Sequence, residues 1–228
     1  MSRLGVAIMA GGEGTRLRPV TGKMPKALAP FFRSGTLLSH QLERSAGLDA
    51  TRTVVLASAR RGADIIAAHV PDCEVLVEPS PLGTAGGLIH LPSDVDRWVV
   101  VNVDHVSDVN REALVAGASG PCTAVTTTVE ATIDEGVVSL EPGPHGPLIT
   151  RWSERPTVRV EVTTGLYVFT HAALQEHLDG TPCDMPELVR RLMPDGVRAW
   201  HHRGHWFDAG TPERLLRAEA WWAGFVGS

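Results

Sequence analysis

A short apolar stretch followed at once by a glycine-rich loop is the feature that most restricts how this chain can fold. The run Leu4–Ala10 has the length and composition of a buried β-strand. The three glycines of Gly11–Gly14 let the backbone turn tightly and present its N–H groups to an anion. Arg16 and Lys26 follow closely and add two cations. The sequence therefore predicts a strand that ends at a phosphate-binding loop.

Two widespread phosphate-binding loops do not fit this segment. A Walker loop requires Gly-Lys-Ser or Gly-Lys-Thr after four intervening residues, and that spacing is absent. A dinucleotide-binding fingerprint requires a third glycine where Leu17 stands. The loop therefore belongs to another class of phosphate-binding protein.

Composition and charge restrict the class of partner. The chain has 228 residues, with 43% apolar residues and a net charge of −5. Its length suffices for one α/β domain with a sizeable core or for two small domains. The negative charge argues against broad nucleic-acid binding, so a bound polyphosphate needs a local cationic pocket. The basic residues that could form that pocket are Arg16, Arg18, Lys23 and Lys26.

The chain carries no targeting or disulfide signal. No secretory segment precedes the glycine loop and no apolar run reaches the length of a membrane span, so we expect a cytoplasmic protein without membrane partners. Cys73, Cys122 and Cys183 are odd in number and widely separated, which favours reduced thiols.

Strand-like and helix-like segments alternate in the first half of the chain. The predicted strands are Leu4–Ala10, Thr53–Ala57, Glu74–Val77 and Trp98–Val103, and the predicted helices are Leu37–Leu48, Gly62–His69 and Ala85–Leu91. Such alternation is typical of a mostly parallel sheet covered by helices on both faces. Ligands of such sheets bind beyond the carboxyl ends of the strands, where the glycine loop and Asp104 both fall.

The second half is richer in strands. We expect strands at Thr123–Val129, Gly136–Leu140, Leu148–Trp152 and Val162–Phe169, and helices at Asp184–Met193 and Pro212–Phe225. The segment Pro142–Pro147 has turn composition and predicts a hairpin. Together the two halves predict an α/β fold: a Rossmann-like mixed, mostly parallel sheet flanked by helices, with a small strand-rich lobe.

Three segments resemble the sugar-1-phosphate nucleotidylyltransferases. That family carries Gly-Gly-x-Gly-Thr-Arg-Leu-x-Pro-x-Thr followed shortly by Pro-Lys, and residues 11–26 fit this pattern. The segment His205–Glu213 resembles its Trp-x-Asp-x-Gly-Thr-Pro-Glu. The segment Glu78–Gly87 resembles the part that reads the nucleobase, and its Leu-Gly-Thr-Ala-Gly is most similar to guanylyltransferases acting on mannose- or heptose-type phosphates.

The resemblance implies a reaction and a set of roles. An NTP, with GTP favoured, and a sugar 1-phosphate would give an NDP-sugar and pyrophosphate. Arg16 would stabilise the leaving pyrophosphate, and Lys26 would hold the two reacting phosphates. Asp104 and Asp208 would bind Mg²⁺, which prefers carboxylate and phosphate oxygens. The implied nucleotide-binding residues are Ala10, Gly11, Gly12, Gly14, Thr15, Glu78, Gly83, Thr84, Ala85 and Gly86, and the implied sugar-phosphate-binding residues are Gly136, Glu154, Arg155, Thr163 and Asp104.

The chain departs from the family pattern in the sugar-phosphate segments. Arg155 replaces a usual lysine, Thr163 replaces a usual asparagine, and Val103 stands where glycine is common. Arginine still binds phosphate through its planar fork, but threonine cannot copy the two-sided hydrogen bonding of an amide. We therefore expect a less common acceptor, such as a heptose or cyclitol phosphate. The resemblance also implies a single domain over residues 1–228, with a nucleotide-binding half (1–120) and a sugar-phosphate-binding half (121–228).

Several alternatives stay open at this point. The chain could be a non-catalytic subunit that binds a nucleotide sugar, or could use ATP, UTP or dTTP. Cytidylyltransferases and molybdenum-cofactor nucleotidyltransferases have a similar loop but lack the Asp208 segment. The histidines of His201–His205 invite a metal-site interpretation, although adjacent strand residues point to opposite faces. Trp221 and Trp222, near the end of a predicted helix, could mark the contacts of a homodimer.

Overall fold

The first half of the computed structural model, which describes residues 2–33 and 35–227, alternates strands and helices as predicted. Its strands are β1 (Leu4–Met9), β2 (Pro30–Phe31), β3 (Gly35–Thr36), β4 (Ala50–Ser58), β5 (Glu74–Glu78), β6 (Arg97–Asn102) and β7 (His105–Ser107). Its α-helices are α1 (Arg18–Thr21), α2 (Leu37–Ser45), α3 (Ala63–His69) and α4 (Arg111–Gly117). Short 3₁₀ helices cover Thr15–Leu17, Lys26–Leu28, Ala59–Arg61 and Gly86–His90.

The second half supplies longer strands and the last three α-helices. Its strands are β8 (Cys122–Thr132), β9 (Val137–Glu141), β10 (Leu148–Ser153), β11 (Thr157–Thr170), β12 (Arg198–His201) and β13 (Trp206–Asp208). Its helices are α5 (His171–His177), α6 (Met185–Leu192) and α7 (Pro212–Gly227), with a 3₁₀ helix at Met193–Asp195. Across the described ranges, no helix combines the length and apolar character needed to cross a membrane.

The central sheet is mixed and mostly parallel, which confirms the predicted fold class. Within the described ranges it has seven strands in the order β12-β8-β11-β6-β1-β4-β5. Only β11 among these runs antiparallel to its neighbours, pairing with β6 on one side and β8 on the other. The carboxyl ends of β1, β4, β5 and β6 therefore lie along one edge of the sheet.

Each face of the sheet carries its own apolar core. Along β6, Val99 and Val101 join the core on one face, while Trp98 and Val100 join the core on the other, and all four are fully buried. A strand buried on both faces requires a continuous apolar run. This is why β6 was recognisable from the sequence.

The strand-rich lobe lies at the far ends of β8 and β11. There the hairpin of β9 and β10 pairs antiparallel, with Leu148 opposite Glu141. Several of its apolar side chains are exposed, among them Leu140, Ile149 and Trp152. The hairpin therefore adds little to the two cores.

One predicted helix and several boundaries differ from the structure. The segment Ala85–Leu91 forms only a 3₁₀ helix over Gly86–His90, because two consecutive glycines disfavour an α-helix. Helices α1, α4 and α5 and the short strands β2, β3, β7 and β13 were not predicted. Strands of two to four residues carry too little periodicity to recognise, and their pairing partners decide where they form.

Two histidines are buried in their neutral form beside a buried arginine. His40 lies between Phe31 and Trp222, with ring centroids 4.9 and 4.6 Å away. Burial, followed by the charge of Arg111, lowers the pKa of His40 to about 3 and that of His105 to about 3. Arg111 donates to Ser45 Oγ at 2.7 Å and to Gln41 Oε1 at 2.5 Å, with no carboxylate partner among the described residues. The fold thus keeps both histidines uncharged at neutral pH.

The low pKa values of these two histidines predict that the fold loses stability in acid. The unfolded chain protonates histidine near pH 6.5, whereas the folded chain does so only near pH 3, so the free energy of unfolding should fall with decreasing pH between these values. Each histidine should contribute a slope of about 1.4 kcal/mol per pH unit. We expect His40→Phe to remove one such contribution in denaturant unfolding measured from pH 7 to pH 5. His69→Phe, at an exposed position, is the control, and an unchanged slope in His40→Phe would contradict the prediction.

Candidate active site

A cavity of about 530 Å³ lies at the carboxyl edge of the sheet. The last residue of each of four parallel strands lines it: Met9, Ser58, Glu78 and Asn102. This is the position predicted from the alternating pattern, because loops that leave the carboxyl ends of parallel strands enclose a common crevice.

The glycine loop forms one wall of the cavity. Gly11 and Gly12 line it directly. Gly14 has a φ of +59°, and a Cβ there would lie 2.7 Å from the Cβ of Lys26, so only glycine allows the two segments to touch. Gly14 and Thr15 line a smaller adjoining cavity of about 220 Å³, which Arg16 and Lys26 share.

Lys26 and Asp104 form the central ion pair. Lys26 Nζ lies 2.6 Å from Asp104 Oδ2, and both side chains are largely buried. Burial raises the pKa of Asp104, but the charge and hydrogen bond of Lys26 outweigh burial and hold that pKa below its usual range. Lys26 is fixed in place because Ala27 and Leu28, the next residues of its 3₁₀ turn, belong to the core. Asp104 is therefore ionised at neutral pH.

Strand pairing brings the second carboxylate to the first. Strand β13 runs antiparallel to β7, which places Asp208 opposite His105 and beside Asp104. Asp208 Oδ1 accepts from the Gly210 N–H at 3.0 Å, and Oδ2 accepts from Arg214 at 2.7 Å. The family resemblance implied that these two aspartates act together, and the structure brings them close although they are far apart along the chain.

Gly210 marks the point on which the charged groups converge. A Cβ at Gly210 would lie 2.7 Å from Asp208 Oδ1 and 3.1 Å from both Asp104 Oδ2 and Arg16 Nη2. Two carboxylates and a guanidinium thus surround a space that only glycine leaves free. This donor set fits Mg²⁺, which usually takes one or two protein carboxylates and completes its shell with water and phosphate oxygens. No cluster of three or more His, Cys, Asp or Glu side chains in the described ranges could hold a metal ion.

Glu78 and the loop after β5 form another part of the cavity wall. Glu78 is 7% exposed, and burial raises its pKa. Gly83 and Thr84 also line the cavity. Asp184 fixes this loop, because its Oδ1 accepts from the Thr84 N–H at 2.9 Å and from the Thr84 hydroxyl at 3.2 Å. The start of α6 therefore positions the loop from behind.

Some predicted residues lie outside the cavity. Ala10, Ala85 and Gly86 are buried behind its walls; the backbone N–H groups of Ala85 and Gly86 donate to the Cys183 carbonyl. Their assignment to the nucleotide stays a prediction.

The structure also places Gly136, Glu154 and Arg155 on the exposed lobe, away from the cavity lining. Arg155 pairs with Asp134 at 2.6 Å, and Glu154 accepts from the Trp152 indole N–H at 2.5 Å. The structure does not bring these three residues to the cavity, and their assignment to the sugar phosphate stays a prediction.

Thr163 does line the cavity, at an irregular point of β11. The register of β11 against β8 shifts between Thr163 and Tyr167. Gly165, inside this shift, has a φ of +83°, and a Cβ there would lie 2.6 Å from Asn102 Nδ2. The irregularity therefore turns a stretch of strand backbone towards the site.

Further lining residues were missed by sequence reasoning. They are Met9, Glu13, Leu56, Ser58, Arg61, Pro81, Asn102, His105, Thr164, Gly165, Tyr167 and Trp206. Asn102 and Trp206 each lie two residues before a predicted aspartate, and this proximity is a sequence signal by which they could have been predicted. Arg61 had no such signal, because only the fold brings it to the glycine loop.

The three neighbouring histidines do not line the cavity. His201 pairs with Glu161 at 3.0 Å, and His202 pairs with Asp108 at 2.7 Å. His205 stacks on Trp221 at 5.1 Å between ring centroids. These contacts account for the histidine-rich segment as part of the local packing around β12 and β13.

Comparison with known proteins agrees with the geometry. The family model for nucleotidyl transferases matches residues 6–222. The mannose-1-phosphate guanyltransferase of Gibberella zeae is 31% identical over 227 residues, covering 92% of this chain and 61% of the relative. The chain thus spans about three fifths of the length of the curated relatives that it matches.

Solved structures share the fold. HddC from Yersinia pseudotuberculosis superposes with a TM-score of 0.71 at 19% identity, covering 96% of this chain and 99% of HddC. A putative glucose-1-phosphate thymidylyltransferase from Bacillus anthracis gives a TM-score of 0.72 at 21% identity, covering 96% and 94% of the two chains. With the family match over nearly its whole length, this chain belongs to the nucleotidyl transferase family.

Proposed function

We propose that this protein transfers a nucleotidyl group from an NTP, with GTP favoured, to a sugar 1-phosphate. The observation that supports this most strongly is the convergence of Arg16, Asp104 and Asp208 around Gly210, beside a glycine loop and Lys26. A cavity with this charge arrangement suits a triphosphate and a second phosphate held side by side.

The proposed reaction needs no covalent enzyme intermediate. An oxygen of the sugar phosphate attacks the α-phosphorus in line, and the bond to the β-phosphate breaks as pyrophosphate leaves. Lys26 binds the two reacting phosphates and offsets their repulsion, while Arg16 stabilises the charge that develops on pyrophosphate. The backbone N–H groups of Gly11–Thr15 orient the triphosphate.

Asp104 and Asp208 are the residues that would hold Mg²⁺. When bound, the ion would neutralise negative charge on the phosphates. Lys26 keeps Asp104 ionised, and Arg214 and the Gly210 N–H hold Asp208 in place, so both carboxylates are oriented in advance.

Glu78 supports the preference for guanine. An ionised carboxylate only accepts hydrogen bonds, and the edge of guanine presents two adjacent donors, its N1–H and its 2-amino group. Adenine offers an acceptor at the first of these positions. The mannose-1-phosphate guanyltransferases among the relatives agree with this assignment.

The acceptor is proposed as a hexose, heptose or cyclitol phosphate that enters past Thr163 and Tyr167. The relatives' names put mannose 1-phosphate in this set. The departure at Thr163, which lines the cavity, favours the heptose and cyclitol phosphates. A cytoplasmic location and a homodimer complete the proposal.

Pyrophosphate release tests the proposal directly. The enzyme would be supplied with Mg²⁺, each of GTP, ATP, UTP, CTP and dTTP, and a panel of hexose, heptose and cyclitol 1-phosphates. We expect release with GTP and one acceptor class. Nucleotide binding without release across the panel would instead favour the non-catalytic regulatory subunit.

Gly210→Ala should abolish most of the turnover. The new methyl group would enter the space between Asp104, Asp208 and Arg16, so we expect kcat to fall by about 10²-fold or more. Gly224→Ala, in α7 where a Cβ meets nothing within 4 Å, is the matched control. Thermal unfolding of both variants would show whether the fold is kept. Full turnover by folded Gly210→Ala would contradict the proposal that the reaction uses the space beside Gly210.

Glu78→Gln should reduce the preference for GTP. The amide offers one acceptor and one donor where guanine needs two acceptors, so kcat/KM for GTP should fall about tenfold to a hundredfold, with less change for ATP. Glu74→Gln, at the exposed start of the same strand, controls for the loss of charge. An unchanged ratio of GTP to ATP kcat/KM would show that Glu78 does not read the base.

A further inference from the structure

The four basic residues expected to form one cationic pocket are divided between two cavities. Arg16 and Lys26 line the cavity at the carboxyl edge of the sheet, which we call the inner cavity. Arg18 and Lys23 line a second cavity of about 580 Å³ on the other side of the glycine loop, which we call the outer cavity. The proposed reaction uses only the inner cavity.

The outer cavity is strongly cationic in a chain whose net charge is −5. Its lining contains Arg18, Lys23, Arg60 and Arg61, and Glu13 is the one acid among its described lining residues. The structure gives Arg18, Lys23 and Arg60 no ion pair with any described residue. Four cations gathered around a single carboxylate repel one another, and a multiply charged anion would relieve that repulsion.

One ion pair connects the two cavities. Glu13 and Arg61 line both of them, and Arg61 Nη2 lies 2.5 Å from Glu13 Oε1. The hydrogen bond and charge of Arg61 lower the pKa of Glu13, which keeps this pair charged at neutral pH. Glu13 is part of the glycine loop, so an anion that engaged Arg61 would compete with the loop's own carboxylate.

We propose that the outer cavity is a second binding site, beyond the proposed function, for a diphosphate group that competes with Glu13 for Arg61. Four cations match the charge of a diphosphate better than that of a single phosphate. The group can come from free pyrophosphate or from a nucleoside diphosphate, and the ligand chemistry is the same in both cases.

Equilibrium binding to the full chain tests this without any turnover. Pyrophosphate, a nucleoside diphosphate and inorganic phosphate would each be titrated by calorimetry, in the absence of metal, into the wild-type protein and its variants. Arg60→Gln removes a cation that lines only the outer cavity, and Arg217→Gln, an exposed arginine of α7, is the matched control.

We expect two classes of pyrophosphate site in the wild-type protein. Arg60→Gln should weaken one class about tenfold, and Arg217→Gln should leave both unchanged. Glu13→Gln should tighten the same class several-fold because it removes the competing carboxylate, whereas Glu213→Gln should not. Arg60-dependent binding of the nucleoside diphosphate alone would identify the nucleotide as the source.

The opposite results would overturn the proposal. A single class of site for both pyrophosphate and the nucleoside diphosphate, or equal binding of both ligands by Arg60→Gln and Arg217→Gln, would show that the outer cavity holds no diphosphate. Inorganic phosphate binding to the Arg60-dependent site as tightly as pyrophosphate would refute the diphosphate assignment. Weaker binding in Glu13→Gln would refute the competition for Arg61.

Discussion

A lysine and an aspartate 78 positions apart in the sequence share one buried ion pair, and the arrangement of the inner cavity depends on it. Lys26 comes from the turn after the glycine loop, and Asp104 comes two residues after β6, whose residues 98–101 are fully buried. Removing one partner of a buried pair leaves an uncompensated charge and typically costs about 3–5 kcal/mol. The pair therefore ties the loop to the sheet.

The residues around Asp104 are held by buried polar contacts. Gln41 donates to the carbonyls of Val103 and His105, which flank Asp104, and Arg111 in turn holds the Gln41 side chain. His105 also donates to the Thr164 carbonyl at 2.8 Å, and the Trp206 indole N–H donates to the same oxygen at 2.9 Å. The backbone irregularity between Thr163 and Tyr167 is thereby joined to the segments that carry both aspartates.

Local sequence was enough to predict those parts of the cavity wall that come from a single continuous segment with its own pattern of residues. The strand and loop of residues 4–26 and the buried strand before Asp104 carry their own apolar and glycine patterns. The strands β7 and β13 form only because they pair with each other, so their short sequences have no signal. Arg61 reaches the cavity through tertiary packing alone. The segment around Arg155 resembled a family motif, yet its position on the exposed lobe, between β10 and β11, depends on how far β8 and β11 extend.

The exposed hairpin of β9 and β10 has a consequence for how such a protein diversifies. Its side chains contribute little to the cores, so most substitutions there should cost little folding free energy. Substitutions at Lys26, Asp104, Asp208 and Gly210 are far more restricted. Lys26 and Asp104 form a largely buried ion pair, and a side chain at Gly210 would contact both aspartates. Natural variation can therefore accumulate on the hairpin while the arrangement of charged groups around Gly210 stays constant.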